Sequence, residues 1–169
     1  MKTLFCLRHA KSSWAEPGMD DHERPLSPRG VRAAELVALY LKQRGSAPHF
    51  ALSSTARRAV ETLAPIRRQL GLAFATDRAL YLAEPHALCQ RLAQIDDREP
   101  SALLVGHNPG MHELAMQLAG RGDRALRARL RERFPTGALA VFELDVESWG
   151  EVAPGCGSLV EVTTPADLV

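Results

Sequence analysis

Apolar and polar positions divide the chain into short, nearly solid apolar runs and longer stretches of helical period. The segment TLFCL, residues 3–7, is a run of strand length with no polar face, the pattern of a strand buried on both sides. A polar stretch rich in turn-formers follows from Ala10 to Pro28, and loops of that length are as a rule functional or disordered. Ser27-Pro28 supplies an N-cap and a first-turn proline, after which Val31, Ala34, Leu36, Val37, Leu39 and Leu41 carry an amphipathic helix to Gly45. The unit then repeats. HFALSS reads as a second strand, and TARRAVETLAPIRRQLG as a helix stopped by Gly71 and bent at Pro65. Residues 86–95 read as helix, SALLVGH as a third strand, PGMHELAMQLAG as the helix after it, and ALAVFELD and SLVEVTT as two further strands. Strands alternating with helices predict one domain over residues 1–169, a three-layer α/β/α sandwich with a largely parallel central sheet.

Charge changes this picture by exclusion. Lys plus Arg number 21 against 20 Asp plus Glu in 169 residues, so the overall field is not that of a nucleic-acid binder or of a protein held to an anionic membrane. Any affinity for anions must be local. The uncharged run between Lys2 and Arg8 is too short for a signal peptide or a membrane span. Cys6, Cys89 and Cys156 are odd in number and form no CxxC pair, which suits reduced thiols and predicts a cytoplasmic protein.

Candidate chemistry gathers at strand ends. In open α/β sheets ligands bind beyond the carboxyl ends of the strands. Here the first strand ends on Arg8-His9, the second on Ser53-Ser54 leading to Arg57-Arg58, and the third on Gly106-His107. Two imidazoles and two or three guanidiniums at one crevice, with helix N-termini opening at Thr55 and Pro109, suit a tetrahedral oxyanion such as phosphate. Each residue alone also has a plain structural reading, a hydrogen-bonded surface histidine or a solvated helix face; their coincidence carries the prediction.

The stretches LRHAKSSW, SSTARRAVET, LLVGHNPG and RPLSPRG, with FPTGALAVFELD and the closing TPADL, resemble the histidine phosphatase superfamily, and within it the SixA-type phosphohistidine phosphatases. Ala10 stands where that family's Arg-His-Gly triplet has glycine. The resemblance implies a phosphoglycerate mutase-like fold, with His9 as a transiently phosphorylated nucleophile and Arg8, Arg58 and His107 gripping the phosphoryl oxygens. The RAVET register selects Arg58 over Arg57. Ser12 is a further candidate phosphate donor, with a local turn bond as its alternative role. No metal or other cofactor is expected, since guanidiniums can oppose the anion's charge.

A general acid is less legible. Relatives that cleave phosphate esters protonate an alkoxide with a carboxylic acid; Glu84 is the nearest candidate, with Asp20 and Asp21 behind it. A phosphohistidine leaving group needs none, because an imidazole with a reference pKa of ~6.5 can leave neutral or already protonated. The expected substrate is therefore phosphohistidine on a protein. A small phosphate substrate for a general phosphomonoesterase, or phosphoprotein binding without turnover, are the alternatives, and a mutase is disfavoured by the short chain. RGDRALRARLRERF, residues 121–134, concentrates six arginines, and Leu126, Leu130 and Phe134 at four-residue spacing predict an amphipathic helix above the core; the segment reads as a solvated basic face or a docking surface for an acidic partner. His107, His112 and Glu113 form no HExxH metal pattern.

Overall fold

The computed structural model describes residues 1–169. Its strands are β1 (Lys2–Arg8), β2 (Phe50–Ser54), β3 (Ala73–Asp77), β4 (Ser101–Gly106), β5 (Ala119–Gly122), β6 (Leu139–Leu144) and β7 (Gly157–Thr163). The helices are α1 (Pro28–Gln43), α2 (Arg57–Leu70), α3 (Pro85–Leu92), α4 (Gly110–Leu118) and α5 (Arg124–Glu132). All strands join one sheet in the order β3-β2-β4-β1-β6-β7-β5. No helix is long and apolar enough to cross a membrane.

Alternation along β1 explains the three layers. Leu4 and Cys6 face a core shared with Leu88, Leu92, Met111, Leu114 and Leu130 of α3, α4 and α5. Phe5 and Leu7 face the opposite core, with Val37 and Leu41 of α1 and Leu63 and Ile66 of α2. Successive side chains of a strand point to opposite sides, so a strand covered by helices on both faces must be apolar throughout.

The sheet is largely parallel, as expected, with one strand reversed. β1–β4, β2–β4, β2–β3 and β5–β7 pair parallel, but β6 runs antiparallel to both β1 and β7. After α5 the chain returns to the carboxyl end of β1, where the Gly137 amide donates to the carbonyls of Arg8 and His9. From there β6 can only run back along β1. Two strands escaped the sequence pattern. β3 is an edge strand with mostly exposed side chains, and β5 is a short, glycine-bearing edge strand within what read as the end of a helix.

The 10–28 segment is ordered. It folds back on itself through Ser13 N–H to Pro25 O at 2.8 Å, Ser27 N–H to Lys11 O at 2.9 Å and a bridge between Ser12 and Leu26. It forms a flap beside the end of β1, with one short 3₁₀ turn at Asp21–Glu23.

Candidate active site

Parallel pairing aligns the strand ends. Arg8 of β1 is level with Gly106 of β4, and the next residue of each chain is a histidine. The His9 amide donates to Gly106 O at 3.0 Å, and the two imidazole centroids lie 5.1 Å apart. Ser53 of β2 is level with Val105, which puts Ser54 beside His107. The Ser54 hydroxyl lies 2.8 Å from His107 Nε2.

His9 and His107 line a cavity of about 240 Å³ with Arg8, Arg58, Ser12, Lys11, Arg24 and Asn108. Arg8, His9, Arg58, His107 and Ser12 thus meet at one place. Glu84 does not join them. It precedes α3 and lines a larger cavity, about 680 Å³ between α3, α4 and the β6–β7 connection, which holds neither candidate catalytic histidine nor an arginine. No carboxylate borders the smaller cavity.

The ring orientation of His9 follows from one contact. Its Nδ1 lies 2.7 Å from the Ala10 carbonyl, which can only accept, so Nδ1 carries the hydrogen and Nε2 keeps its lone pair. Burial, with the charges of Arg58, Arg8 and Arg24 acting in the same direction, lowers the His9 pKa to about 4 despite that bond. Burial, His9 and Arg58 bring His107 to about 3. Both rings are neutral near pH 7. Ser54 Oγ accepts the Ala56 amide and pairs with His107 Nε2, and His107 Nδ1 faces no partner within the protein.

The arginines are held differently. Arg58 is 4% exposed, and its guanidinium donates to the Asp21 carbonyl at 2.7 Å and to Asp21 Oδ2 at 3.0 Å. Arg57, one residue earlier, points outward to Glu61. Four residues after Arg58, the Thr62 hydroxyl donates to the Arg58 carbonyl at 2.7 Å and accepts the Ala10 amide at 3.0 Å. The RAVET motif therefore ties the residue after His9 to α2. Arg8 donates to Phe134 O at 3.2 Å, a carbonyl shared with the Asn108 side-chain amide at 2.8 Å.

Several cavity residues carried no sequence signal. Arg24 is buried in the flap, donating to Ser13 O, Asp21 Oδ1 and the Ser12 hydroxyl, with its guanidinium 3.2 Å from the centroid of the exposed Trp14 ring. Arg24 lies in a loop between turn-formers, and only the return of that loop to the strand end brings it in. Asp21 binds Arg58, Arg24 and the Tyr81 hydroxyl. Burial would raise its pKa, but those hydrogen bonds outweigh burial and hold the carboxyl far below the usual range. A carboxylate so held has no proton to give at neutral pH. His112 is a structural residue, bonded to Leu130 O at 2.6 Å and stacked on Phe134. No group of three or more His, Cys, Asp or Glu side chains could hold a metal ion.

Three buried side-chain atoms have no partner in the protein: Arg8 Nε, His107 Nδ1 and Asn108 Oδ1. All three residues line the His9 cavity. Buried polar groups are nearly always paired, so this concentration marks a place built for a polar ligand. Neither α2 nor α4, which begin beside it, has a side-chain cap on its first amides.

The chain is 37% identical over 161 residues to an uncharacterised protein of Mycobacterium tuberculosis, covering 94% of this chain and 99% of the relative. It superposes with TM-score 0.86 and 27% identity on a structure from Nakamurella multipartitia assigned as the phosphohistidine phosphatase SixA, over 97% of this chain and 96% of that one. A structure from Agrobacterium tumefaciens with the same assignment gives TM-score 0.80 at 31% identity, covering 97% and 98%. The sandwich is thus the phosphoglycerate mutase-like one. A model of the histidine phosphatase superfamily (branch 1) matches residues 4–142, a span that holds all the histidines and arginines of the cavity, and the chain belongs to that superfamily.

Proposed function

We propose that the protein hydrolyses phosphohistidine on a partner protein through a covalent intermediate on His9. The observation that carries this reading is the content of the cavity: two neutral imidazoles, four cations and no carboxylate. His9 Nε2 attacks phosphorus while the bond from phosphorus to the substrate imidazole breaks, and that imidazole leaves neutral or protonated without an enzyme acid. Water then attacks the phosphoenzyme, releasing phosphate and restoring neutral His9. Arg8, Arg58 and Arg24 oppose the charge of the equatorial oxygens, and His107 donates to one of them. Ser12, held by Arg24, has the same cavity within reach. An alkoxide leaving group would need a proton donor, and Glu84 and Asp21 do not supply one, the first by position and the second by ionisation.

The similarity to two SixA-assigned structures above 25% identity supports the same substrate class. The test compares kcat/KM for a histidine-phosphorylated peptide and for alkyl phosphates. Esters should be slower by roughly two to four orders of magnitude, the usual worth of an acid catalyst. His9→Ala should abolish turnover and acid-labile labelling of the protein. Equal rates for esters and phosphohistidine, or labelling that survives in His9→Ala, would overturn the proposal.

A further inference from the structure

A second cavity adjoins the first. It has a volume of about 320 Å³ and shares Lys11 and Thr136 with the His9 cavity. Its charged lining residues are Lys11, Arg29 and Arg133; no carboxylate lines it. All three cations are exposed, and none forms an ion pair. Of the two acids adjacent in sequence to its lining, Asp167 is turned away to Arg129 and to the Thr164 amide, and Glu132 lies outside the lining and forms no ion pair.

The fold fixes this arrangement. Lys11 is anchored to the first turn of α1, where its carbonyl accepts from the Ser27 amide and hydroxyl, and Arg29 stands two residues on. A Cβ on Gly30 would lie 2.0 Å from Lys11 O, so only glycine lets α1 approach so closely. On the far side, Gly137 has φ +76° and a Cβ there would meet Pro165 at 2.6 Å. That contact seats the C-terminal turn as the wall beside Thr136. Like charges at fixed positions with no counter-charge repel one another unless an anion sits among them.

The geometry points to a docking subsite for acidic side chains of the phosphorylated partner, formed by Lys11, Arg29 and Arg133 next to the phosphoryl cavity. This rests on the phosphatase reading for what enters the first cavity, and it adds which protein surface is chosen: one carrying Asp or Glu beside the phosphohistidine. An exposed ion pair shifts an equilibrium by roughly 1.4- to 5-fold, so three give on the order of tenfold. The preference should fade in high salt, where exposed charges are screened.

The probes are two chemically phosphorylated histidine peptides, one with Asp and Glu flanking the phosphohistidine and one with Asn and Gln in their places. Affinity is read by fluorescence anisotropy on the His9→Ala protein, with and without Arg29→Glu and Arg133→Glu. The acidic peptide should bind about tenfold tighter, and the double reversal should remove that preference. With His9 intact, the same double reversal should leave turnover of a small phosphoramidate unchanged. Equal affinity for the two peptides, or a preference that survives the reversal, would overturn the subsite. So would loss of phosphoramidate turnover in the reversed protein, which would put the two arginines in the phosphoryl cavity itself. If only the KM of a bisphosphate ester responds to the reversal, the subsite serves a second phosphoryl group and the proposal fails. Binding is measured without turnover, so an inactive native enzyme would sink the phosphatase reading while the subsite is still judged on affinity.

Discussion

Arg58→Ala and Arg57→Ala are neighbouring changes with very different expected effects. Arg58 is buried at the cavity and held by two bonds to Asp21. Loss of a preorganised donor to a transferring group costs about 2.7–4 kcal/mol, so kcat/KM for a small phosphoramidate should fall roughly 10²–10³-fold. Arg57 pairs only with Glu61 across one helical turn, with the two side chains 50% and 35% exposed. Such a pair is worth about 0.3–0.5 kcal/mol of stability, and its loss should leave the rate within about twofold. The pH profile gives a second reading. After burial, the Arg58 charge is among the causes that hold His9 near 4 and His107 near 3. A cation beside an imidazole disfavours the imidazolium, so its removal raises both values toward ~6.5. The acid limb of kcat/KM should therefore begin at higher pH in Arg58→Ala than in the native protein, and stay in place in Arg57→Ala. A larger loss from Arg57→Ala, or an acid limb that Arg58→Ala leaves unmoved, would falsify this assignment.

Thr62→Val keeps the volume but leaves the buried Ala10 amide without its acceptor, which costs about 1–3 kcal/mol; the thermal midpoint should drop by roughly 3–10 °C, with kcat falling alongside. An unchanged Tm would mean that Ala10 finds another partner. Stability should also fall with acid above the carboxylate range. The unfolded chain binds protons at histidine near ~6.5, while the folded chain resists until about 4 and about 3, so each ring removes up to about 1.4 kcal/mol per pH unit as pH drops from ~6.5 toward 4. A melting temperature flat from pH 7 to 5 would contradict the burial of both rings. Chelator should leave the rate unchanged, because guanidiniums already oppose the anion's charge; a strict demand for added magnesium would refute that.

What the sequence made legible follows from how much each element is buried. β1, β2 and β4 lie inside the sheet, so apolar runs mark them and their ends display Arg8, His9, Ser54 and His107. β3 and β5 lie at the edges, where one neighbour and a wet face leave no such run. The direction of β6 was hidden because alternation is the same whichever way a strand runs. Among site residues, Arg58 was reachable by its spacing to Thr62, which the Ala10 contact explains. Arg24, Trp14 and Asn108 were not, because their place depends on how loops fold back. Glu84 shows the converse: Leu82, two residues before it, lines the His9 cavity, while Glu84 itself lines a different one.

The two sides of the His9 cavity differ in how they can open. The His9 amide is bonded to Gly106 between the central strands, so its exchange with deuterium requires the sheet itself to come apart, at the free energy of global unfolding. The flap that carries Arg24 and Asp21 closes on itself through few backbone bonds, among them Ser13 to Pro25 and Ser27 to Lys11. Side chains rather than a strand ladder hold it to its neighbours: Asp21 to Arg58 and Tyr81, His22 to Thr55, and the Leu26 amide to Glu61. Amide protection at Ser13 should accordingly be weaker than at His9, so the loop that bears Arg24 and the strand end that bears the nucleophile should differ in local stability.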